Sequence, residues 1–145
     1  MHGLFIEKYQ LEGGSLSWHL ARHICSHGQN GKIAVITNKP EVLLPAVRKQ
    51  WLKLLRQVQN ERAGALNPIR VDMLTQQILW MQGLSFTYKL PDDLLEADVT
   101  FAKADDFVRT PPICRCVYVT YGFEREKLHM LTAWMPRNSS VVIYE

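Results

Sequence analysis

The chain has 145 residues, of which 47% are hydrophobic and 21% charged, enough for one domain with a buried core and a polar surface. A net charge of +3 and a pI near 8.8 permit an anionic partner without requiring one. Apolar runs such as Ile33 to Ile36 are too short to span a bilayer, and Glu7 and Lys8 stand where a signal peptide needs its apolar centre. A soluble, unexported, cytoplasmic protein is therefore expected. The three cysteines are odd in number and lack CxxC spacing, which suits a reducing compartment better than a disulfide framework.

In chain order, residues 4 to 10 (LFIEKYQ) read as a strand, followed by a turn at LEGG. Ser15 is placed to cap a helix that runs to about His27 and stops at Gly28. Residues 32 to 37 (KIAVIT) form a short apolar run typical of a strand covered on both faces. A helix is expected over residues 41 to 63, with Leu44, Val47, Trp51, Leu54, Leu55 and Val58 on one face. Pro45 either kinks its first turns or marks its start. Residues 69 to 74 (IRVDML) read as a strand and 75 to 83 as a short helix closed by Gly83.

Residues 84 to 90 (LSFTYKL) alternate like a strand with one wet face. No helix-length connection precedes them, which suits an antiparallel edge strand. A helical turn at 91 to 97, a strand in DVTFAKA, a loop in DDFVRTPP and a strand at 115 to 121 follow. A helix in EREKLHMLTAWM and a last strand in SVVIYE complete the chain.

Strands alternating with helices predict a single α/β domain over residues 1 to 145. The expected architecture is a small three-layer, Rossmann-like fold, a mostly parallel sheet with helices on both faces.

Candidate chemistry follows from this arrangement. His19, His23 and His27 recur every fourth residue and share a helix face, a spacing that can ligate a metal. Leu20 stands where a zincin has its glutamate, so a catalytic zinc is excluded. The histidines also flank the apolar arc of Leu16, Leu20, Ala21 and Ile24, where amphipathic side chains commonly sit, and no metal is assigned. Cys114 and Cys116 share a strand face and read as small core residues.

Ligands of open parallel sheets bind beyond the carboxyl ends of the strands. That edge would collect Gly13, Gly14, Ser15, Asn38 and Lys39, a candidate phosphate site, together with Asp105 and Thr120. The glycines match neither GxxxxGK[ST] nor GxGxxG, and a tight turn with an N-cap needs the same residues. No catalytic constellation is identifiable from spacing, and no cofactor is expected.

The helix over 41 to 63 carries Arg48, Lys49, Lys53, Arg56 and Arg62, with no acid between Glu41 and Glu61. Lys49, Lys53 and Arg56 form one stripe. Such a stripe suits a phosphate backbone or an acidic protein. The tryptophans read as anchors of helices on the sheet. Met130, Trp134 and Met135 offer an apolar patch for self-association. The expected function is a non-catalytic binding or adaptor module that contacts nucleic acid or an acidic partner through the basic helix. The alternative is an enzyme acting on a phosphorylated small molecule or nucleotide at the carboxyl edge.

Overall fold

The computed structural model describes residues 5–9, 15–27, 32–88, 98–103, 116–119 and 140–144. They form a mixed α/β fold. The strands are β1 (Phe5–Tyr9), β2 (Ile33–Ile36), β3 (Phe86–Tyr88), β4 (Val99–Ala102), β5 (Cys116–Val119) and β6 (Ser140–Tyr144). The helices among the described residues are α1 (Leu16–His27), α2 (Pro40–Gly64) and α3 (Pro68–Gly83). The helical turn expected at 91 to 97, the loop that begins at Asp105 and the helix holding Met130, Trp134 and Met135 lie outside the described residues.

The sheet has the order β1-β6-β5-β2-β4-β3, and every paired neighbour is parallel. The steps from β1 to β2 and from β2 to β3 run the same way along the sheet. Right-handed crossovers then put α1, α2 and α3 on one face. Accordingly α1 packs on α2, and α2 on α3.

The core lies between that helix layer and the middle of the sheet. Leu20, Ala21 and Ile24 of α1, Leu44, Val47 and Trp51 of α2, and Met81 of α3 meet Ile33, Val35, Val99 and Phe101. The helical period places these helix residues on inward faces, and the period of two selects alternate strand residues. Ala34, Ile36, Thr100 and Ala102 point to the opposite face and are also buried. Both faces of β2 and β4 are thus covered, which is why KIAVI carries no polar alternation.

Two expectations are corrected here. Residues 69 to 74 are helical, not extended: they form the first half of α3. Asn67 caps this helix, its Oδ1 accepting from Ile69 N at 2.9 Å, and Pro68 supplies a fixed φ at the first helical position. Val71, Leu74, Ile78 and Met81 then share one helical stripe, with Leu74 and Met81 fully buried. The second correction concerns β3. It is an edge strand, as expected, but parallel to β4. Its crossover is the whole α2–α3 hairpin, which a strand at 69 to 74 would have interrupted.

The length of this hairpin matters for function. Trp51 packs edge-on against Phe86, with centroids 5.5 Å apart, and Phe86 opens β3 level with Val99 and Ile33. Trp51 therefore marks the amino edge of the sheet. At 1.5 Å per residue, the helix beyond it projects roughly 20 Å past that edge. The projecting arm is tied by Arg62, whose Nε donates to Thr75 Oγ1 at 2.7 Å, and by an exposed Arg70–Glu61 pair at 3.4 Å.

Candidate basic interface on the long helix

The face of α2 opposite Trp51 carries the cationic stripe. Lys49, Lys53 and Arg56 are all exposed, because the apolar residues at 44, 47, 51, 54, 55 and 58 claim the inward arc. Four-residue and three-residue steps from Lys49 keep the stripe nearly parallel to the helix axis. Between Glu41 and Glu61 there is no carboxylate, and Glu61 itself pairs with Arg70. The positive potential of this face is therefore not neutralised from within the helix.

The other two candidate cations have internal work. Arg48 donates from Nη2 to Phe86 O at 3.1 Å. That carbonyl belongs to an edge strand, and a guanidinium over it blunts an edge otherwise open to pairing. Arg62 ties α2 to α3 through Thr75. Both side chains are exposed, yet each has a structural role that Lys49, Lys53 and Arg56 are not seen to share.

Sequence reasoning missed two neighbours of the stripe. Val42 and Leu52 are 63% and 55% exposed on the same side of α2. Their spacing from the basic residues was legible, but a lone apolar residue in a long helix is ordinarily assigned to the core. The inward arc read from the sequence leaves both outside it, and their exposure in the structure shows that they remain uncovered by the core.

At the carboxyl edge, only part of the candidate phosphate site falls within the described residues. Asn38 and Lys39 follow β2 and are exposed, and Lys103, also exposed, follows the adjacent β4. Two strands, β6 and β5, separate β1 from β2, so these two strands stand roughly 14 Å apart. The end of β1 is therefore not next to the end of β2. Gly13, Gly14, Asp105 and Thr120 lie outside the described residues. Ser15 acts as an N-cap: its Oγ accepts from Trp18 N at 3.3 Å and shares a 2.9 Å hydrogen bond with Ser17 Oγ. Thr37 is buried, and its Oγ1 accepts from Lys39 N at 3.3 Å, which shapes the entry into α2.

The histidine stripe lies along α1. His19 and His23 are half-buried, and His19 meets the edge of Trp18 at 5.0 Å. Among the described residues, no group of three or more His, Cys, Asp or Glu is arranged to hold a metal. Arg22 lies over the Trp18 ring at 4.5 Å, a cation–π contact. Trp51 and Trp80 anchor α2 and α3 to each other and to Phe86, as expected of anchors, whereas Trp134 lies outside the described residues.

A cavity of about 340 Å³ opens between the end of α1 and the base of the arm. Arg22, Cys25, Gln57, Glu61 and Gln77 line it over Leu54 and Val58. Gln77 Nε2 donates to Cys25 Sγ at 3.7 Å. Burial pushes the Cys25 thiol above its ordinary value, while the Gln77 hydrogen bond and the Arg22 charge pull partly the other way. At neutral pH the group is a thiol, not a nucleophilic thiolate.

No described helix is long and apolar enough to cross a membrane. The chain matches no family model, no curated protein and no solved structure.

Proposed function

We propose that this protein is a non-catalytic binding or adaptor module that contacts nucleic acid or an acidic protein partner through the outer face of α2. The observation that carries this is the exposed run of Lys49, Lys53 and Arg56 on a helix whose sequence has no carboxylate between Glu41 and Glu61. Arg48 and Arg62 are exposed on the same helix and add to its positive charge, although they turn toward β3 and α3, where each holds an internal hydrogen bond. The carrier domain is a small three-layer, Rossmann-like fold. Burial of Ala34, Ile36, Thr100 and Ala102 on the face away from α1, α2 and α3 supports the third layer.

The test is binding of labelled single- and double-stranded DNA and RNA by fluorescence anisotropy at low and near-physiological salt. An acidic protein or peptide serves as the parallel ligand. The variant is Lys49→Glu, Lys53→Glu and Arg56→Glu together, with folding checked by its urea unfolding curve. Each cation on a duplex phosphate contributes about 0.9 to the salt slope, so losing three lowers the slope by about 2.7 if DNA is the partner. Unchanged binding by a folded triple variant refutes the proposal.

A second reading is an enzyme acting on a phosphorylated small molecule or nucleotide. Lys39 and Lys103 support it, since they follow adjacent strands at the carboxyl edge, where ligands of parallel sheets bind. A thermal-shift panel of nucleotides and sugar phosphates, with and without divalent metal, separates the two, because a specific ligand raises Tm by mass action.

A further inference from the structure

The outer face of α2 is more than a stripe of charge. Positions 42, 45, 49, 52, 56, 59 and 63 are spaced alternately by three and four residues, and every one of them is exposed. They read Val, Pro, Lys, Leu, Arg, Gln, Ala. A 3–4–3–4 spacing is the seam along which one helix receives another, because it keeps to a single line on a helix wound at 3.5 residues per turn. The seam covers 22 residues, about 32 Å of helix. It runs from the carboxyl edge of the sheet onto the projecting arm.

Its composition defines the occupant. Val42 at 63% exposure and Leu52 at 55% supply apolar contacts that a phosphate backbone does not use. Lys49 and Arg56 occupy seam positions one heptad apart, and Lys53 lies beside them. A helix packed here without carboxylates would bury three uncompensated cations.

We infer that the partner of α2 is an acidic amphipathic α-helix, carrying apolar residues opposite Val42 and Leu52 and carboxylates opposite Lys49, Lys53 and Arg56. This inference rests on the binding role proposed above for α2 and chooses protein over nucleic acid as its partner. Docking of this kind is the helix-in-groove mode, read out as anchors at i, i+3, i+4 and i+7.

The experiment uses the full chain and two synthetic peptides of three heptads. One has Leu at the seam positions and Glu at the flanking positions. The other has the same composition in scrambled order. Anisotropy is measured for both peptides and for single- and double-stranded DNA, with the parent, the Val42→Ser/Leu52→Ser variant and the Lys49→Glu/Lys53→Glu/Arg56→Glu variant. The expected result is at least tenfold tighter binding of the patterned peptide than of the scrambled one. That preference is lost in the serine variant, whose apolar change leaves any DNA binding unaltered.

Equal binding of the two peptides, or a preference that survives the serine substitutions, overturns the inference. If DNA then binds and responds to charge reversal, the binding role of α2 stands with nucleic acid as its partner. If neither DNA nor peptide responds to charge reversal in a folded variant, the binding role of α2 falls as well. Both variants alter exposed positions, and their urea unfolding curves establish that they fold.

Discussion

Replacing Trp51 with Phe tests the junction on which the projecting arm depends. Trp51 is only 3% exposed, and its Nε1 donates to Met81 O at 3.0 Å. Because α3 ends at Gly83, Met81 is among the last four residues of the helix, whose carbonyls have no intrahelical donor. The indole N–H thus satisfies a carbonyl on a residue that is itself 1% exposed. Phenylalanine keeps an aromatic ring but has no donor. Leaving that carbonyl unpaired costs about 1–3 kcal/mol. The smaller ring also loosens the edge-on contacts with Trp80 and Phe86, at 5.7 and 5.5 Å between centroids, for about 1 kcal/mol more. The expected loss is ~2–4 kcal/mol. With a urea m-value of about 2 kcal/mol/M, the midpoint falls by roughly 1–2 M. Far-UV circular dichroism across a urea titration measures it, with Trp80→Phe as the reference because Trp80 is half-buried. A Trp51→Phe loss below about 0.5 kcal/mol at unchanged m, or no larger than that of Trp80→Phe, refutes the assignment of Trp51 as the junction.

Two further outcomes are expected. Asn67→Ala removes the N-cap of α3 and costs about 1 kcal/mol, read by urea unfolding, whereas Asn67→Asp keeps most of that stability. Cys25 makes stability fall at high pH. Its thiol is held above the ordinary value by burial, so the unfolded chain loses that proton first. Its contribution is complete below the unfolded thiol pKa and is lost as pH rises through the folded one. Cys25→Ala therefore has a shallower decline above about pH 8.5 than the parent in pH-dependent urea unfolding.

What could be read from the chain followed from local periodicity. The 3.6-residue recurrence of Leu44, Val47 and Trp51 placed α2 within a residue of its ends, and Ser15 marked the start of α1. The wholly apolar Ile33–Ile36 run announced a strand covered on both sides. Local signals failed at residues 69 to 74, where I-R-V-D-M-L satisfies a period of two over six residues. The longer stripe through Ile78 and Met81, and the cap at Asn67, decide for a helix. In the candidate site, the charges of Lys49, Lys53 and Arg56 were legible because they are a property of one helix.

The sequence by itself thus determined the strands at Ile33–Ile36 and Val99–Ala102, the inward arc of α2 and the basic bias of the arc opposite. These depend on residues within one or two turns of each other. Tertiary structure alone decided the strand order β1-β6-β5-β2-β4-β3, the parallel placement of β3 and the separation of β1 from β2. It also left Val42 and Leu52 uncovered by the core. Strand order is chosen by which distant segments bury one another, and an apolar residue is exposed or covered according to where the sheet stands. Neither is encoded in the spacing of neighbours along the chain.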